Sequence, residues 1–470
     1  MGSTGTTEEA TGFIGPPQRN CLGLSCDPDH LLASRDLPEN FIQDMATNTD
    51  PWICVFGSNL FHQLDPDDTR TNLTKKIIHP RQLEGTKIPK DGTSVVEVLH
   101  VTDSQTLVYY NNRSGGNSSS GSSYLEIWGF DEENQSSNLK DIRDRLDPTH
   151  YISHPIDQVK QWLGTNKIIG YLATDGTVNS INPKASNESR EKMKRHVPSN
   201  LARYQAVTIS DNGEVLAALS PEFNRTLETH NGCAVHCLEL WPSLQELMDF
   251  LLDINRQPGL KTRLIHLKDP PTGETEIRLS SGASHFLIMT HTPSTKENCD
   301  YHSTLYTFGD NRFGQLGIGS RSVSVTEPQK IENLPALIKI DCGLFHSVAV
   351  GQDGELYTFG HNRTGQCGVG SSEIDTSTPV LVDLGGNGEA GDIIDVIDVC
   401  CGSEHTAVLT SSGVWLAGCN TLGQLGMGDL VSRFEFHRNE NITIAGNHSS
   451  KPAAWKIQTG RWNTYVWENS

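Results

Sequence analysis

The sequence contains no long apolar run, and none of its hydrophobic stretches approaches the roughly 20 residues that a helix needs to cross a bilayer. The amino-terminal segment also lacks the positively charged and then apolar pattern of a secretory signal. The 11 cysteines are odd in number and show no spacing typical of a small disulfide-stapled domain. We therefore expect no membrane contact and a reducing compartment, the cytoplasm, the nucleus or both.

Positive charge is in short supply. The chain has 37 Lys and Arg against 57 Asp and Glu, a formal net charge of −20. A surface this acidic repels the phosphate backbone, so we expect no direct binding to nucleic acid. Residues 1–50 follow the same trend and are rich in Gly, Thr, Pro and Asp, which predicts a disordered acidic tail.

The sequence motifs of common catalytic sites are also missing. There is no nucleophile elbow, no phosphate loop and no dinucleotide fingerprint. Cys233, His236 and Cys237 form a soft cluster, but no nearby residue supplies a fourth zinc ligand, and Cys21 and Cys26 are a weaker pair. We therefore predict no catalytic residue, no metal and no cofactor. An enzyme with its site at the Cys233 cluster or in a central channel stays open as a third hypothesis.

Glycine is plentiful, at 43 residues, and much of it belongs to an internal repeat. Three segments align without gaps: LYTFGDNRFGQLG from Leu305, LYTFGHNRTGQCG from Leu356 and VWLAGCNTLGQLG from Val414. Their marker glycines Gly309, Gly360 and Gly418 are 51 and 58 residues apart. Each segment predicts a strand with aromatic or apolar side chains, followed by a glycine-rich crossover.

A second motif recurs in phase with the first. It reads GASHFLIM from Gly282, GLFHSVAV from Gly343, GSEHTAVL from Gly402 and GRWNTYVW from Gly460, at intervals of 61, 59 and 58 residues. The β-branched runs after the histidines predict short strands, which we interpret as the inner strands of the repeats. Such a unit cannot bury both of its faces alone, and radial stacking of several units does so.

Three weaker units in the first half bring the count to seven, around Thr106, Gly170 and Ala206. The chain begins with a half-repeat around Gly57 that lacks a partner strand and finishes with a strand from Trp462 that lacks its crossover. Joining the two halves would complete one blade and remove the open edge of the ring. The prediction is an all-β, seven-bladed β-propeller over residues 51–470, closed by both termini.

Insertions interrupt the pattern near residues 111–123, 185–197 and 236–265. The last of them predicts a helix over residues 243–255, because Ser243 and Glu246 form a capping box and apolar residues recur on one face. The helix either packs on the rim of the propeller or docks a partner.

These runs resemble the repeats of the regulator-of-chromosome-condensation (RCC) family over roughly residues 51–470, most specifically from 281 to 470. The layout is most similar to small single-propeller members, among them the partner of a JmjC-type histone demethylase and the fungal alpha-tubulin suppressor proteins. The resemblance implies a seven-bladed propeller that binds proteins, with a chromatin-modifying or tRNA-modifying enzyme as a possible class of partner. The founding member is an exchange factor for a small GTPase, which implies guanine-nucleotide exchange as the alternative function.

The partner-binding candidates are the residues between the glycine and the histidine of the second motif, since the turns that carry them face one rim of the propeller. Phe345 and Trp462 are aromatic anchors of the kind that interfaces use, and Glu404 is an acid that an exchange factor would need. The candidates are Leu344, Phe345, Ser403, Glu404, Arg461 and Trp462, with Arg312 and Phe313 in a crossover as a second choice. The recurring His285, His346 and His405 are interpreted as structural residues, each hydrogen-bonded within its own blade.

Our first hypothesis from the sequence is therefore a non-catalytic scaffold or regulatory subunit. It would be a monomeric propeller that holds a protein partner on one face within a larger complex. Guanine-nucleotide exchange is the second hypothesis.

Overall fold

The computed structural model describes residues 53–58, 76–82, 94–112, 124–129, 144–146, 155–181, 203–220, 237–252, 262–268, 275–292, 302–370, 375–384, 394–442, 444 and 454–469. Outside these residues lie the predicted tail 1–50, most of the insertion 111–123, the whole of the insertion 185–197, and the ligand candidates Cys21, Cys26, Cys233 and His236. Residues Asp50–Ser470 form one compact unit.

This unit consists almost entirely of short strands. The first thirteen are β1 Ile53–Ser58, β2 Lys76–Gln82, β3 Ser94–Val101, β4 Gln105–Asn112, β5 Tyr124–Gly129, β6 Asp144–Leu146, β7 Val159–Leu163, β8 Gly170–Ala173, β9 Val178–Ser180, β10 Tyr204–Ile209, β11 Val215–Leu219, β12 Cys237–Trp241 and β13 Arg263–His266. The others are β14 Glu276–Ser281, β15 His285–Thr292, β16 His302–Asn311, β17 Ser322–Lys330, β18 Leu337–Cys342, β19 His346–Gly351, β20 Leu356–Gly360, β21 Thr376–Val382, β22 Val396–Cys401, β23 His405–Thr410, β24 Gly413–Gly418, β25 Arg433–Arg438, β26 Ala454–Thr459 and β27 Asn463–Asn469. A 3-10 turn covers Ile156–Gln158, and helix α1 covers Leu244–Leu252.

The strands form seven antiparallel sheets, which are the blades of a β-propeller. Blades 1 to 6 follow one another along the chain as β3–β6, β7–β9, β10–β13, β14–β17, β18–β21 and β22–β25. Blade 7 has the order β2-β1-β27-β26. The predicted fold and blade number are confirmed.

Both ends of the unit contribute to blade 7. Strand β1 pairs antiparallel with β27, with Ile53 opposite Trp467 and Gly57 opposite Asn463. All six residues of β1 are buried. The predicted closure by the two termini is therefore confirmed, and the ring has no open edge at that point.

The strands that begin at the motif histidines are the second strands of their blades. The innermost strands are the ones before the motif glycine, and they contact each other around the channel, as β14, β18, β22 and β26 do. The interpretation of the histidine runs as inner strands was therefore wrong in position, although it counted the blades correctly. A repeat in sequence gives the order of the strands along the chain, but it does not show which strand of a blade lies nearest the central channel.

The hydrophobic core lies between neighbouring blades. Val348 and Val350 of blade 5, for example, pack in one cluster with Val399 and Val408 of blade 6, and all four side chains are at most 1% exposed. Burying one such side chain contributes about 1.5–3 kcal/mol, so each blade is stabilised mainly by its neighbours.

Helix α1 packs on the rim of the propeller, as one of the two sequence interpretations stated. The Ser243 hydroxyl accepts a hydrogen bond from the Glu246 backbone N–H at 3.2 Å, which is the N-cap contact that the sequence predicts. Leu244, Leu247 and Leu251 are buried in a cluster that joins blades 2 and 3. The helix ends at Leu252, and Ile254 lies outside the described residues.

Candidate functional site on the loop face

Loops from all seven blades meet at one end of the channel, and we call this surface the loop face. It consists of the seven loops that follow the innermost strands, together with the crossover loops that are hydrogen-bonded to them. The loops after the innermost strands are joined into a chain by backbone hydrogen bonds. Ala283 N–H donates to Leu344, Leu344 N–H to Ser403 and Ser403 N–H to Arg461, at 3.0–3.1 Å. The loop face is therefore a rigid surface.

The motif glycine and histidine form a packing unit. A Cβ atom on Gly343 would lie 2.1 Å from Cε1 of His346, and Gly282 and Gly402 stand in the same relation to His285 and His405. Only glycine leaves room for the imidazole ring to lie against the backbone at this point. The motif therefore serves to build the loop.

Each motif histidine joins its blade to the next one. The Nε2 atoms of His285, His346 and His405 lie 3.0, 2.9 and 3.1 Å from hydroxyl oxygens of the following blade. Each hydroxyl donates its single proton to the backbone carbonyl of a glutamine, as Thr406 does to that of Gln366 at 2.7 Å, so Nε2–H is the donor to the hydroxyl oxygen. The structural role was predicted, but the expected bond within the same blade was wrong.

Burial opposes protonation of these rings. It lowers the pKa of His285 to about 4 and the pKa of His346 and His405 to about 3, far below the ordinary value of 6.5. Their Nδ1 atoms have no hydrogen-bond partner within the described ranges. The histidines are thus neutral at every physiological pH, which does not suit a role in proton transfer near neutral pH.

The glycine-rich crossover is held in shape by hydrogen bonds from its backbone N–H groups to its own Asn and Gln side chains. Asn311 accepts a hydrogen bond from Leu316 N–H at 3.1 Å, and Gln315 accepts one from Phe313 N–H at 2.9 Å. Equivalent bonds occur at Asn362 and Gln366 and at Asn420 and Gln424. Because these backbone N–H groups already have partners, the crossover is not a phosphate-binding loop.

The marker glycine places the crossover against the motif loop. Gly360 has a φ of 109°, and a Cβ atom there would lie 2.6 Å from the Phe345 carbonyl oxygen. The next residue, His361, donates its N–H to that same carbonyl at 2.8 Å. This contact fixes the side chain of Phe345 beside that of His361.

A cavity of about 330 Å³ occupies the end of the channel at the loop face. Arg461 of blade 7 reaches across it and pairs with Asp103 of blade 1, at 2.8 Å, and with Asp211 of blade 3. Burial raises the pKa of Asp103 to about 6, Arg461 lowers it and Asp211 raises it. This ion-pair cluster lies at the mouth of the channel, and its two carboxylates were not predicted because they belong to weak repeats.

Where blades 4 and 5 meet, three aromatic rings from different loops form a cluster. The ring centroids of Phe313 and Phe345 are 5.3 Å apart, and His361 lies 4.6 Å from Phe313 and 6.4 Å from Phe345. All three side chains are half-buried. The structure therefore brings together Phe345 and Phe313, two residues that the sequence suggested separately, and adds His361.

The blade 4–5 junction also carries arginine. The Arg312 guanidinium lies 5.9 Å from the centre of the Phe313 ring and binds both carboxylate oxygens of Asp310. Arg363, two residues after His361, is exposed. Aromatic rings beside arginine are the combination in which binding energy concentrates at protein interfaces.

The other predicted residues separate into two groups. Leu344, Ser403 and Arg461 line the channel mouth, and Ser403 is only 4% exposed. Glu404 and Trp462 are half-buried in the positions equivalent to Phe345. Burial raises the pKa of Glu404, which makes it a weaker acid than an exposed glutamate.

Within the described part of the chain, no group of three or more His, Cys, Asp or Glu side chains is arranged to hold a metal ion. Cys400 and Cys401 follow each other in β22, and burial raises the pKa of both thiols. Thiols held protonated in this way are poor ligands and poor nucleophiles. None of the described helices is long and apolar enough to cross a membrane.

Comparison with known proteins agrees with the repeat pattern. The chain matches the family model of the regulator of chromosome condensation (RCC1) repeat at residues 303–350 and 353–409, and a second model of this repeat at 337–366 and 396–424. Residues 303–424 of the seven-bladed propeller therefore carry repeats of this type. The crystal structure of human WBSCR16 has a similar fold, with a TM-score of 0.52 at 15% identity over 89% of this chain and 99% of that chain.

Two sequence relatives illustrate how far the similarity extends. The X-linked retinitis pigmentosa GTPase regulator homolog of Caenorhabditis elegans is 34% identical over 158 residues, which are 33% of this chain and 10% of that protein. Protein RCC2 homolog of Danio rerio is 32% identical over 190 residues, 35% of this chain and 36% of that protein. The matched segments therefore span only a tenth and about a third of these two relatives.

Proposed function

We propose that this RCC-repeat propeller is a non-catalytic scaffold or regulatory subunit that binds a protein partner on its loop face. The proposed setting is a nuclear or cytosolic complex, in which a chromatin-modifying or tRNA-modifying enzyme is one class of partner.

The aromatic cluster of Phe313, Phe345 and His361 is the observation that carries this proposal. The rings are held in place by backbone hydrogen bonds and pack against one another, so a partner would not have to order them on binding. Such pre-organised, half-buried aromatic residues supply contact area at a small entropic cost. The remaining loop-face residues then act as a surround that excludes water.

Affinity purification of the full-length protein tests the proposal. The test variant is Phe313→Thr with Phe345→Ser, and each substitution copies the residue that a neighbouring repeat has, Thr364 or Ser284. The control is Ile397→Ser, because Ile397 is 57% exposed near the end of β22 that lies away from the loop face. We expect mass spectrometry to find a partner with the wild type and the control, and its loss with the double variant.

Circular dichroism melts of the three proteins show whether each is folded. A partner that stays bound to the folded double variant would place the interface elsewhere and overturn the choice of the loop face.

Guanine-nucleotide exchange on a small GTPase is the second candidate. It is favoured by one acid, Glu404, on the loop face, and by the similarity to a protein named as a GTPase regulator homolog. An exchange factor inserts into the phosphate site of its GTPase and accelerates release of GDP. Release of a fluorescent GDP analogue from a panel of small GTPases distinguishes the two functions, since a scaffold leaves the rate unchanged.

A further inference from the structure

Two arginines, Arg312 and Arg363, lie at the aromatic cluster, and a third, Arg321, belongs to the same crossover loop as Arg312. The acids that pair with Arg312 and Arg321 are more deeply buried than the arginines themselves. The side chain of Arg312 is 57% exposed and that of its partner Asp310 only 9%. Arg321 is 46% exposed, and its partner Asp375 is 7% exposed. The surface that meets an incoming molecule therefore consists of guanidinium groups, although the chain as a whole carries a net charge of −20.

These guanidinium groups keep hydrogen-bonding capacity. Asp310 accepts hydrogen bonds from the Nε–H and one Nη2–H of Arg312. Three of the five N–H groups of this guanidinium therefore remain available to another acceptor. Arg363 is exposed and has no ion-pair partner among the residues that the structure describes. A carboxylate of another molecule that binds at the blade 4–5 junction would lie beside two arginines and three aromatic rings.

The next junction lacks the three rings and the second arginine. Where blades 5 and 6 meet, the equivalents of Phe313, Phe345 and His361 are Thr364, Glu404 and Cys419, the equivalent of Arg363 is Thr421, and the equivalent of Arg312 is Arg363 itself. Those loops have the same backbone hydrogen bonds, as between Cys419 N–H and the Glu404 carbonyl at 2.8 Å. Because the scaffold is the same at both junctions, the aromatic rings and the second arginine are not needed to build the fold.

We propose that the blade 4–5 junction binds an acidic peptide segment with an aromatic or large apolar side chain. This inference rests on the proposed function and names the chemistry of the partner. The apolar side chain packs against Phe313 and Phe345, and flanking Asp or Glu residues pair with Arg312 and Arg363. Charge-assisted pairs of arginine with carboxylate are strong and can be bidentate, which favours carboxylates over neutral groups.

Single-stranded nucleic acid has a related chemistry, since bases stack on aromatic rings and phosphates pair with arginine. The structure favours the peptide because the three rings and the two arginines belong to one junction. A long polyanion would extend beyond it, and the net charge of −20 on the chain as a whole opposes such a ligand. A short peptide fits within the junction.

Selection from a random peptide display library on the full-length protein tests this inference. Counter-selection uses the Phe313→Thr, Phe345→Ser variant, so that only peptides specific for the junction are kept. We expect these peptides to be enriched in Asp and Glu around an aromatic or leucine residue. A synthetic peptide from the selected pool should bind about tenfold more weakly to the double variant.

A charge variant separates the two parts of the contact. Arg363→Thr copies Thr421 of the next repeat and leaves both buried acids paired. It should weaken the selected peptide several-fold and reduce the dependence of its affinity on salt. The matched control Thr364→Ala, at the adjacent junction, should leave binding unchanged.

The outcomes distinguish this inference from the proposed function. Junction-specific peptides that are neutral or basic would overturn the acidic ligand and leave protein binding on the loop face intact. Failure of any peptide to distinguish wild type from the folded double variant would overturn both. Tight binding of a 20-nucleotide single-stranded RNA that is lost in the double variant would show that the junction binds nucleic acid and not a peptide.

Discussion

At the scale of single residues, the motif histidines connect pH to stability. An unfolded chain binds protons on these three residues as the pH falls through the ordinary value of 6.5, whereas the folded chain does so only near pH 4 to 3. The pKa values are thus lower in the folded state, and the stability they contribute is present above pH 6.5 and decreases below it. Between pH 6.5 and its pKa in the folded state, each histidine lowers the free energy of unfolding by about 1.4 kcal/mol for every unit that the pH falls.

Replacing one of these histidines should change the pH profile in a defined way. His346→Asn copies Asn463, which occupies the same position in blade 7. At pH 7.5 we expect a loss of about 2 kcal/mol, because the hydrogen bond to Thr406 is lost and the ring leaves a cavity. The deficit relative to wild type should shrink by about 1.4 kcal/mol per unit as the pH falls from 6 to 4.5.

Urea midpoints of both proteins between pH 7.5 and 4.5 measure this difference, and contributions from the carboxylates cancel in the comparison. Parallel profiles for wild type and variant would show that His346 has the same pKa in the folded and the unfolded protein.

The sequence predicted the structural role of these histidines but not their partners. A repeat in sequence shows that a residue occurs once per blade, whereas the contact to Ser347, Thr406 or Thr464 depends on how blades are stacked. The same reason applies to the candidate site. Phe345 and Phe313 were chosen from separate motifs, and His361 was missed because the equivalent positions hold Asp310 and Cys419.

At the scale of elements, helix α1 is part of the core between blades 2 and 3. Leu247 is fully buried against Leu244, Met248 and the strands of both blades. The helix was predictable because its apolar period and its cap at Ser243 are local signals.

Two substitutions in this element should differ in size. Leu247→Ala creates a cavity and should cost about 2–4 kcal/mol of unfolding free energy. Ser243→Ala removes one capping bond and should cost about 1 kcal/mol. Gln245→Ala, on the exposed side of the helix, is the control and should change the thermal midpoint little. If Leu247→Ala melts like the control, then α1 is not a part of the core.

At the scale of the whole molecule, Arg461 ties together parts of the ring that share no sheet. It belongs to blade 7 and pairs with carboxylates of blades 1 and 3 across the channel mouth. The sequence identified Arg461 as a partner-binding candidate but not its ion pairs, because the relation between blades 1, 3 and 7 exists only in the closed ring.

Removal of Arg461 should destabilise the ring through the acids that it leaves behind. We expect Arg461→Gln to cost about 1–3 kcal/mol, since two partly buried carboxylates lose their partner. The loss should be larger at pH 8 than at pH 5.5, because the pKa of Asp103 is already raised to about 6 and rises further without the arginine. Adding Asp103→Asn and Asp211→Asn should restore most of the stability.

Chemical denaturation of the four combinations at both pH values measures the coupling. Equal losses at pH 8 and pH 5.5 would argue against Asp103 as the group that responds.

The pairing of β1 with β27 also has a consequence for biosynthesis. Strand β1 leaves the ribosome roughly 400 residues before β27, an interval of roughly 20 to 80 seconds at the usual rates of translation. During that time its buried sequence ICVFGS has no strand on the side that β27 will occupy. A nascent chain of this protein must therefore keep an apolar edge from aggregating until β27 has been synthesised, which makes it a natural client for chaperones that bind at the ribosome.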